Sequence, residues 1–208
     1  MKHKREFRPA RWLVTLAAAG ALMLGCFYLD DAARSWITEH QGPGPRIFMQ
    51  AVSRYGDWPE HVALGLIMLA VAWSRGSKPW MRIFAAMIVA CALAGIGARV
   101  VKIATGRARP NVQVESGWNG PRLSARYNAF PSGHTAASTA FFATLVFAGW
   151  RIGAPLLLIP MLIAFSRMYV AAHYLSDVVF AALVGLLVAY LVARRTPSIE
   201  NRKLKIEN

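Results

Sequence analysis

Several polar residues in this chain stand where the surrounding pattern would place apolar ones, and two of them are histidines. His134 follows Phe130-Pro131-Ser132-Gly133 at the mouth of an apolar run, and His173 precedes Asp177 by four positions, just ahead of another. If the backbone from His173 to Asp177 is helical, both side chains face one way, and the carboxylate can hold the proton of one ring nitrogen. The other nitrogen is then free to act as nucleophile or base. His134, arriving from a separate run, can supply the acid that protonates a leaving oxygen. Lys102, Arg109 and Arg167 add three cations, with Arg107 a candidate neighbour. Unpaired cations at a membrane edge repel one another and are costly to desolvate, a conflict that an anion with several oxygens resolves. Phosphate fits, because guanidinium forks pair with it in bidentate fashion. Ser132 and Gly133 offer a hydroxyl and backbone N–H groups ahead of a helix N-terminus, a ready anion site. The set suits phosphoryl transfer with no metal and no cofactor.

Each of these residues also has a plainer reading. A histidine at a membrane boundary can be a satisfied polar group, and Lys102 can snorkel from the end of a span. Arg109 can bind lipid headgroups, Ser132 can serve only as a helix cap, and Asp177 can pair with Arg167 as a structural ion pair. Arg99, one turn before Lys102, is either an extra phosphate contact or the partner of an acidic group such as Asp57 or Glu115. His40 and His61 have no such company and are read as structural.

The elements that must position these residues are membrane helices. Of the 208 residues 56% are hydrophobic, above the roughly 45–50% of an ordinary soluble domain. The excess falls in six blocks, about Trp12–Leu29, Val62–Trp73, Met81–Val101, Thr135–Trp150, Ala154–Val170 and Val178–Ala193. The expected fold is all-α, an integral membrane bundle of six transmembrane helices with short interfacial helices on the outer face. One such interfacial helix is expected over Arg46–Tyr55, with Ile47, Ala51, Val52 and Tyr55 as its apolar side.

Charge orients the bundle. The chain holds 24 Lys and Arg against 10 Asp and Glu, a formal +14. Because the basic residues lie between apolar blocks, membrane topology explains them better than nucleic-acid binding does. Lys2, Lys4, Arg5, Arg8 and Arg11, then Arg75, Lys78 and Arg82, then Arg151, and finally Arg194, Arg195, Arg202, Lys203 and Lys205 all fall on one side of six spans. That side is cytoplasmic by the positive-inside rule, and Trp12, Trp73, Trp80 and Trp150 cluster at the same boundary. The chain thus reads as a single domain over 1–208, in the plasma membrane (a bacterial inner membrane). It has a basic cytoplasmic N-terminus (1–11), an outer interfacial region (30–61), an outer loop (102–134) and a basic cytoplasmic tail (194–208). The first block also has the form of a signal peptide, but removing it would upset the charge pattern, so it is read as a retained anchor. Cys26 and Cys91 sit inside apolar blocks and read as small packing residues. On this topology Lys102, Arg109, His134, Ser166, Arg167, His173 and Asp177 all arrive at the outer face.

Taken in order, Lys102 with six residues to Arg109-Pro110, then Pro131-Ser132-Gly133-His134, then Ser166-Arg167 with five residues to His173 and three more to Asp177 form one pattern. It resembles the three-part signature of the type 2 phosphatidic acid phosphatase superfamily, which also includes soluble acid phosphatases and vanadium haloperoxidases. No signature position departs from that pattern. The resemblance implies that His173 forms a phosphohistidine, that Asp177 orients it, and that His134 protonates the leaving group and then activates water. It implies further that Lys102, Arg109, Ser132, Gly133 and Arg167 hold the phosphoryl oxygens, with Ser166 behind them. The substrate would be a membrane lipid phosphate: a polyprenyl diphosphate, phosphatidylglycerophosphate, phosphatidic acid or a lipid A phosphate. The rival reading is a non-catalytic lipid-phosphate binding or transport protein. A transporter would more commonly place polar residues through the depth of the bundle, and six spans argue against a soluble haloperoxidase.

Overall fold

The computed structural model describes residues 9–112, 117–149 and 151–196. Expectations resting on Lys2, Lys4, Arg5, Arg8, Glu115, Trp150, Arg202, Lys203 and Lys205 lie outside the described residues. Among the described residues seven α-helices form and no strand: α1 (Pro9–Glu39), α2 (Pro43–Tyr55), α3 (Trp58–Ser74), α4 (Lys78–Thr105), α5 (Gly133–Phe147), α6 (Leu158–Tyr169) and α7 (Leu175–Ala193). Short 3₁₀ turns cover Ala125–Tyr127 and Arg151–Leu157. The all-helical class is as expected. Among the described residues three helices are long and apolar enough to cross a membrane: Trp12–Glu39 within α1, and the whole of α4 and α7. Helices α3, α5 and α6 coincide with the other apolar blocks but hold 17, 15 and 12 residues, fewer than the ~20 of a free-standing span.

Local sequence explains the boundaries. Helix α1 continues past its apolar block through Asp30 and Asp31 to Glu39, because Asp30 is buried and bonded across the bundle. Pro43 and Pro45 open α2 in the first turn, where a missing N–H is harmless. Its Ile47 and Tyr55 turn outward while Ser53 is buried toward α6. Asp57 starts α3 by accepting a 2.8 Å hydrogen bond from the Trp58 N–H, with Pro59 in the first turn. Pro155 interrupts the fifth apolar block, which begins as a 3₁₀ turn and becomes α6 only at Leu158.

Helix α5 is the centre of the bundle, buried without interruption from Thr135 to Leu145. Toward the site it meets α4 and α7 through Ala90, Ala94 and Ala98, Ala136 and Ala140, and Ala181. Small residues at four-residue spacing let helix backbones approach closely where lipid supplies no hydrophobic drive. Further along, larger side chains fill the widening space: Ile83, Met87, Cys91, Phe141, Phe142 and Leu145. Cys26 and Cys91 are both buried free thiols, as the sequence suggests.

The antiparallel course of α4 to α7 gathers four helix ends at one end of the bundle. There the Ser132 N–H donates to the Asp177 carbonyl at 3.1 Å, and Thr105 Oγ1 donates to the Phe130 carbonyl at 3.0 Å. Arg75, Lys78, Arg82, Arg194 and Arg195 sit on the opposite helix ends. Gly106 closes α4 in the left-handed region (φ 56°), and a Cβ there would lie 1.8 Å from the Gly120 carbonyl oxygen, so the turn admits only glycine.

Candidate active site

The last turn of α4 and the turn at Gly106 deliver Lys102, Arg107 and Arg109. Lys102 is buried and Arg109 half-buried. Backbone hydrogen bonds fold the following loop back on itself: Ala108 N–H to the Gly117 carbonyl, Arg109 N–H to that of Arg126, and Ala129 N–H to that of Arg107 (2.8, 3.0 and 3.0 Å). The loop then reaches a cis Phe130–Pro131 bond and the start of α5. Ser132 is that helix's cap, its Oγ accepting from Thr135 Oγ1 at 3.0 Å and from the Thr135 N–H at 3.4 Å. Gly133 and His134 follow in the first turn, both half-buried.

The third block arrives from α6. Arg167 lies in its last turn, and the chain reverses through Ala171, held in the left-handed region at φ 53°. The backbone N–H groups of Ala172 and His173 both donate to the Arg167 carbonyl (3.1 and 3.2 Å). His173 therefore stands on a bonded turn just before α7, and Asp177 in the helix's first turn, where a carboxylate complements the dipole.

His173 is 3% exposed, and its Nδ1 lies 2.6 Å from the Ala129 carbonyl, which can only accept. That contact puts the ring proton on Nδ1 and leaves the Nε2 lone pair free. The expected direct bond to Asp177 is replaced: Asp177 Oδ2 stands 3.6 Å from Nδ1 and accepts instead from the Tyr174 N–H at 2.8 Å. Burial, and after it the charges of Lys102, Arg167 and Arg109, hold the His173 imidazole well below its usual pKa; the Ala129 bond opposes them. All three expected cations thus act on this one ring. Two of them carry a group with no protein partner. Arg109 Nε and Arg167 Nε are buried without a hydrogen-bond acceptor among the described residues, while Arg167 NH1 donates to Ser53 Oγ.

Arg107 belongs elsewhere. Its guanidinium donates to Asp177 Oδ1 at 2.5 Å, to Asp30 Oδ2 at 2.7 Å and to Ser176 Oγ at 2.7 Å. Asp30 also accepts from the Ser176 N–H and Oγ–H (2.8 and 2.6 Å). The rings of Phe27, Trp118 and Tyr174 lie 5.4, 4.9 and 4.2 Å from the guanidinium carbon. This buried cluster orients the Asp177 carboxylate, and Arg107 is not free to bind phosphate. Neither is Asp177 paired with Arg167, the structural alternative considered above. A carboxyl pair at the end of an apolar helix was the available sign for Asp30; nothing marked Ser53 or the Ala129 carbonyl.

A cavity of about 540 Å³ opens beside the cations, with Lys102, His134 and Asp57 at its polar end and Cys91, Gly95 and Ile96 along its wall. Arg99 lines it too, and among the described residues it is paired with neither Asp57 nor any other carboxylate. His134 Nδ1 lies 3.4 Å from Asp57 Oδ1, a partnership that the sequence reading missed. Ser166 is wholly buried, its hydroxyl donating to the Ile163 carbonyl at 2.7 Å.

The PAP2 superfamily profile matches residues 83–199, more than half of the chain and all three blocks. The chain belongs to the PAP2 superfamily. Its relatives place it on the membrane lipid phosphatase branch. It is 31% identical over 207 aligned residues to lipid A 1-phosphatase of Rhizobium johnstonii, covering 89% of this chain and 83% of that one. It is 35% identical over 66 residues to undecaprenyl-diphosphatase BcrC of Bacillus subtilis, a match spanning 32% of this chain and about a third (34%) of that relative. In fold it is similar to a transmembrane PAP2-type phosphatidylglycerolphosphate phosphatase from Bacillus subtilis (TM-score 0.65, 19% identity, 97% and 98% of the two chains). It is also similar to LpxE of Aquifex aeolicus (TM-score 0.57, 22% identity, 80% and 95%).

Proposed function

We propose that the protein hydrolyses the phosphate or diphosphate headgroup of a membrane lipid through a phosphohistidine on His173. In this reading α1, α3, α4, α5, α6 and α7 cross a bacterial inner membrane, with both termini cytoplasmic, the site at the outer face and α2 lying along the interface. The observation that carries the mechanism is the His173 ring, neutral, protonated on Nδ1 and ringed by cations with unused N–H groups. His173 Nε2 attacks phosphorus as the bond to the lipid oxygen breaks, and His134 gives that oxygen its proton. His134 then takes a proton from water, whose oxygen attacks phosphorus and breaks the N–P bond, releasing phosphate. Lys102, Arg109, Arg167 and the Gly133 N–H hold the phosphoryl oxygens, and Ser132 fixes the turn that presents them. Because His134 opens on the 540 Å³ cavity, the lipid leaving group occupies it, against Cys91, Gly95 and Ile96.

Phosphate release from purified protein over a panel of polyprenyl diphosphate, phosphatidylglycerophosphate, phosphatidic acid and lipid A phosphate tests this reading. His173→Ala is expected to abolish release from every substrate while remaining folded in detergent. Full activity in that variant overturns the mechanism. Chelators are expected to leave the rate unchanged, and a strict requirement for Mg²⁺ would count against charge neutralisation by side chains alone.

A further inference from the structure

The role given to His134 raises an electrostatic difficulty. An acid must carry a proton, and the charged or titratable groups facing His134 are Lys102 from α4, Arg167 from α6, His61 from α3 and His173 from the turn before α7. Lys102 and Arg167 are cationic, and a positive charge this close disfavours an imidazolium. Among the described residues, Asp57 is the one carboxylate within ion-pair distance of the ring.

Asp57 is also held more firmly than a helix cap requires. Its Oδ1 accepts from the Trp58 N–H while facing His134 Nδ1 at 3.4 Å. Its carbonyl accepts from His61 Nδ1 at 2.5 Å, and the His61 ring is wedged edge-on against Phe141 and Phe142, 5.5 and 5.6 Å between centroids. The preceding Gly56 is pressed against α6 so closely that a Cβ would lie 2.8 Å from Ile163 Cγ1. One turn earlier Ser53 receives Arg167. The corner between α2 and α3 is thereby fastened to α5 and α6, and the carboxylate is fixed beside the ring.

We propose that Asp57 is the positioning residue for His134, holding its Nδ1 side so that the protonated ring presents Nε2–H to the leaving oxygen. This rests on the reading of His134 as the acid in the proposed function. Asp57 neither gains nor loses a proton: the proton passes from His134 Nε2 to the departing oxygen and is restored from water in the second step.

The consequence is selective. A lipid alkoxide needs a proton to leave, whereas p-nitrophenolate departs without one, so the loss should follow the leaving group. Asp57→Asn keeps the cap, since asparagine caps as well as aspartate, and removes the charge. With phosphatidic acid in detergent, kcat/KM, which reports the step that forms the phosphohistidine and expels the leaving group, is expected to fall about 10–100-fold, against less than about threefold with p-nitrophenyl phosphate. Asp57→Glu should recover part of the loss. In a His134→Ala background, adding Asp57→Asn should cost nothing further with the lipid. Equal losses of kcat/KM with both substrates, or additive losses in the double variant, overturn the assignment and leave the phosphatase reading standing. A wild-type protein that hydrolyses no lipid phosphate overturns both.

Discussion

The turn bearing His173 and the corner bearing Asp57 serve the same anion-binding space, but they are held by different means. Around His173 the support is charge sealed from solvent: Asp177, Asp30 and Arg107 are all buried, bonded to one another and roofed by three aromatic rings. Around Asp57 the support is neutral packing and backbone hydrogen bonds, and the carboxylate itself is partly open, at 38% side-chain exposure. The Ala129 carbonyl fixes the tautomer of His173, the proposed nucleophile, and the closed network behind it holds Asp177 in place. In the proposed mechanism His134 changes its protonation state twice in each turnover and meets both a lipid and water, which suits a partner at the edge of a cavity.

The contrast predicts that damage to the Arg107 network behind His173 costs folding, whereas damage to the unpartnered cations or near Asp57 costs rate. The largest effect is expected from Arg107→Ala, which strips the shared donor from two buried carboxylates. About 3–5 kcal/mol of stability should go with it, seen as a large drop in the detergent melting temperature together with loss of activity. A wild-type melting curve for this variant would break the comparison. Arg109→Gln should cost about 10²-fold or more in kcat/KM with the melting temperature nearly unchanged, because its Nε has no protein partner to lose. Its pH profile should shift as well. The Arg109 charge lowers the His173 pKa, so removing it raises that pKa and moves the acid limb of activity to higher pH.

Gly56→Ala is expected to act next most strongly. Its added methyl must push the corner away from Ile163, and a displacement of this kind near 1 Å can cost up to about 10²-fold in rate. Ser53→Ala is the mildest, releasing one donor of Arg167 for a loss of about 1.5 kcal/mol, read as a fall of roughly tenfold in kcat/KM. If Ser53→Ala lowered the melting temperature as far as Arg107→Ala, the two regions would not differ as described.

Much of this site was legible in the sequence because its parts are close in the chain or fall at helix ends. The spacing of Lys102 and Arg109, the cap at Ser132 and the pairing of His173 with Asp177 each lie within about two turns of backbone. The apolar blocks likewise located α1 and α3 to α7. What the sequence did not disclose depends on long closure. Arg107 reaches Asp30 and Asp177 across 77 and 70 positions, and a surplus cation reads as a phosphate ligand until its partners are seen. The Ala129 carbonyl carries no side-chain signal at all, yet it fixes the tautomer of His173. Asp57 entered the sequence reading only as a candidate partner for Arg99, because its neighbour His134 lies on another helix.

The support from α1 and α2 bears on how the protein could be recombined. The stretch that matches the superfamily, residues 83–199, contains His134, His173 and the cations proposed to hold phosphate, but it leaves out Asp30, Ser53 and Asp57. A graft of that stretch onto the first three helices of a distant relative would transplant the reagents without their braces. Such a chimera should inherit activity only if the donor helices also bring a carboxylate to Arg107, a hydroxyl to Arg167 and an anion to His134.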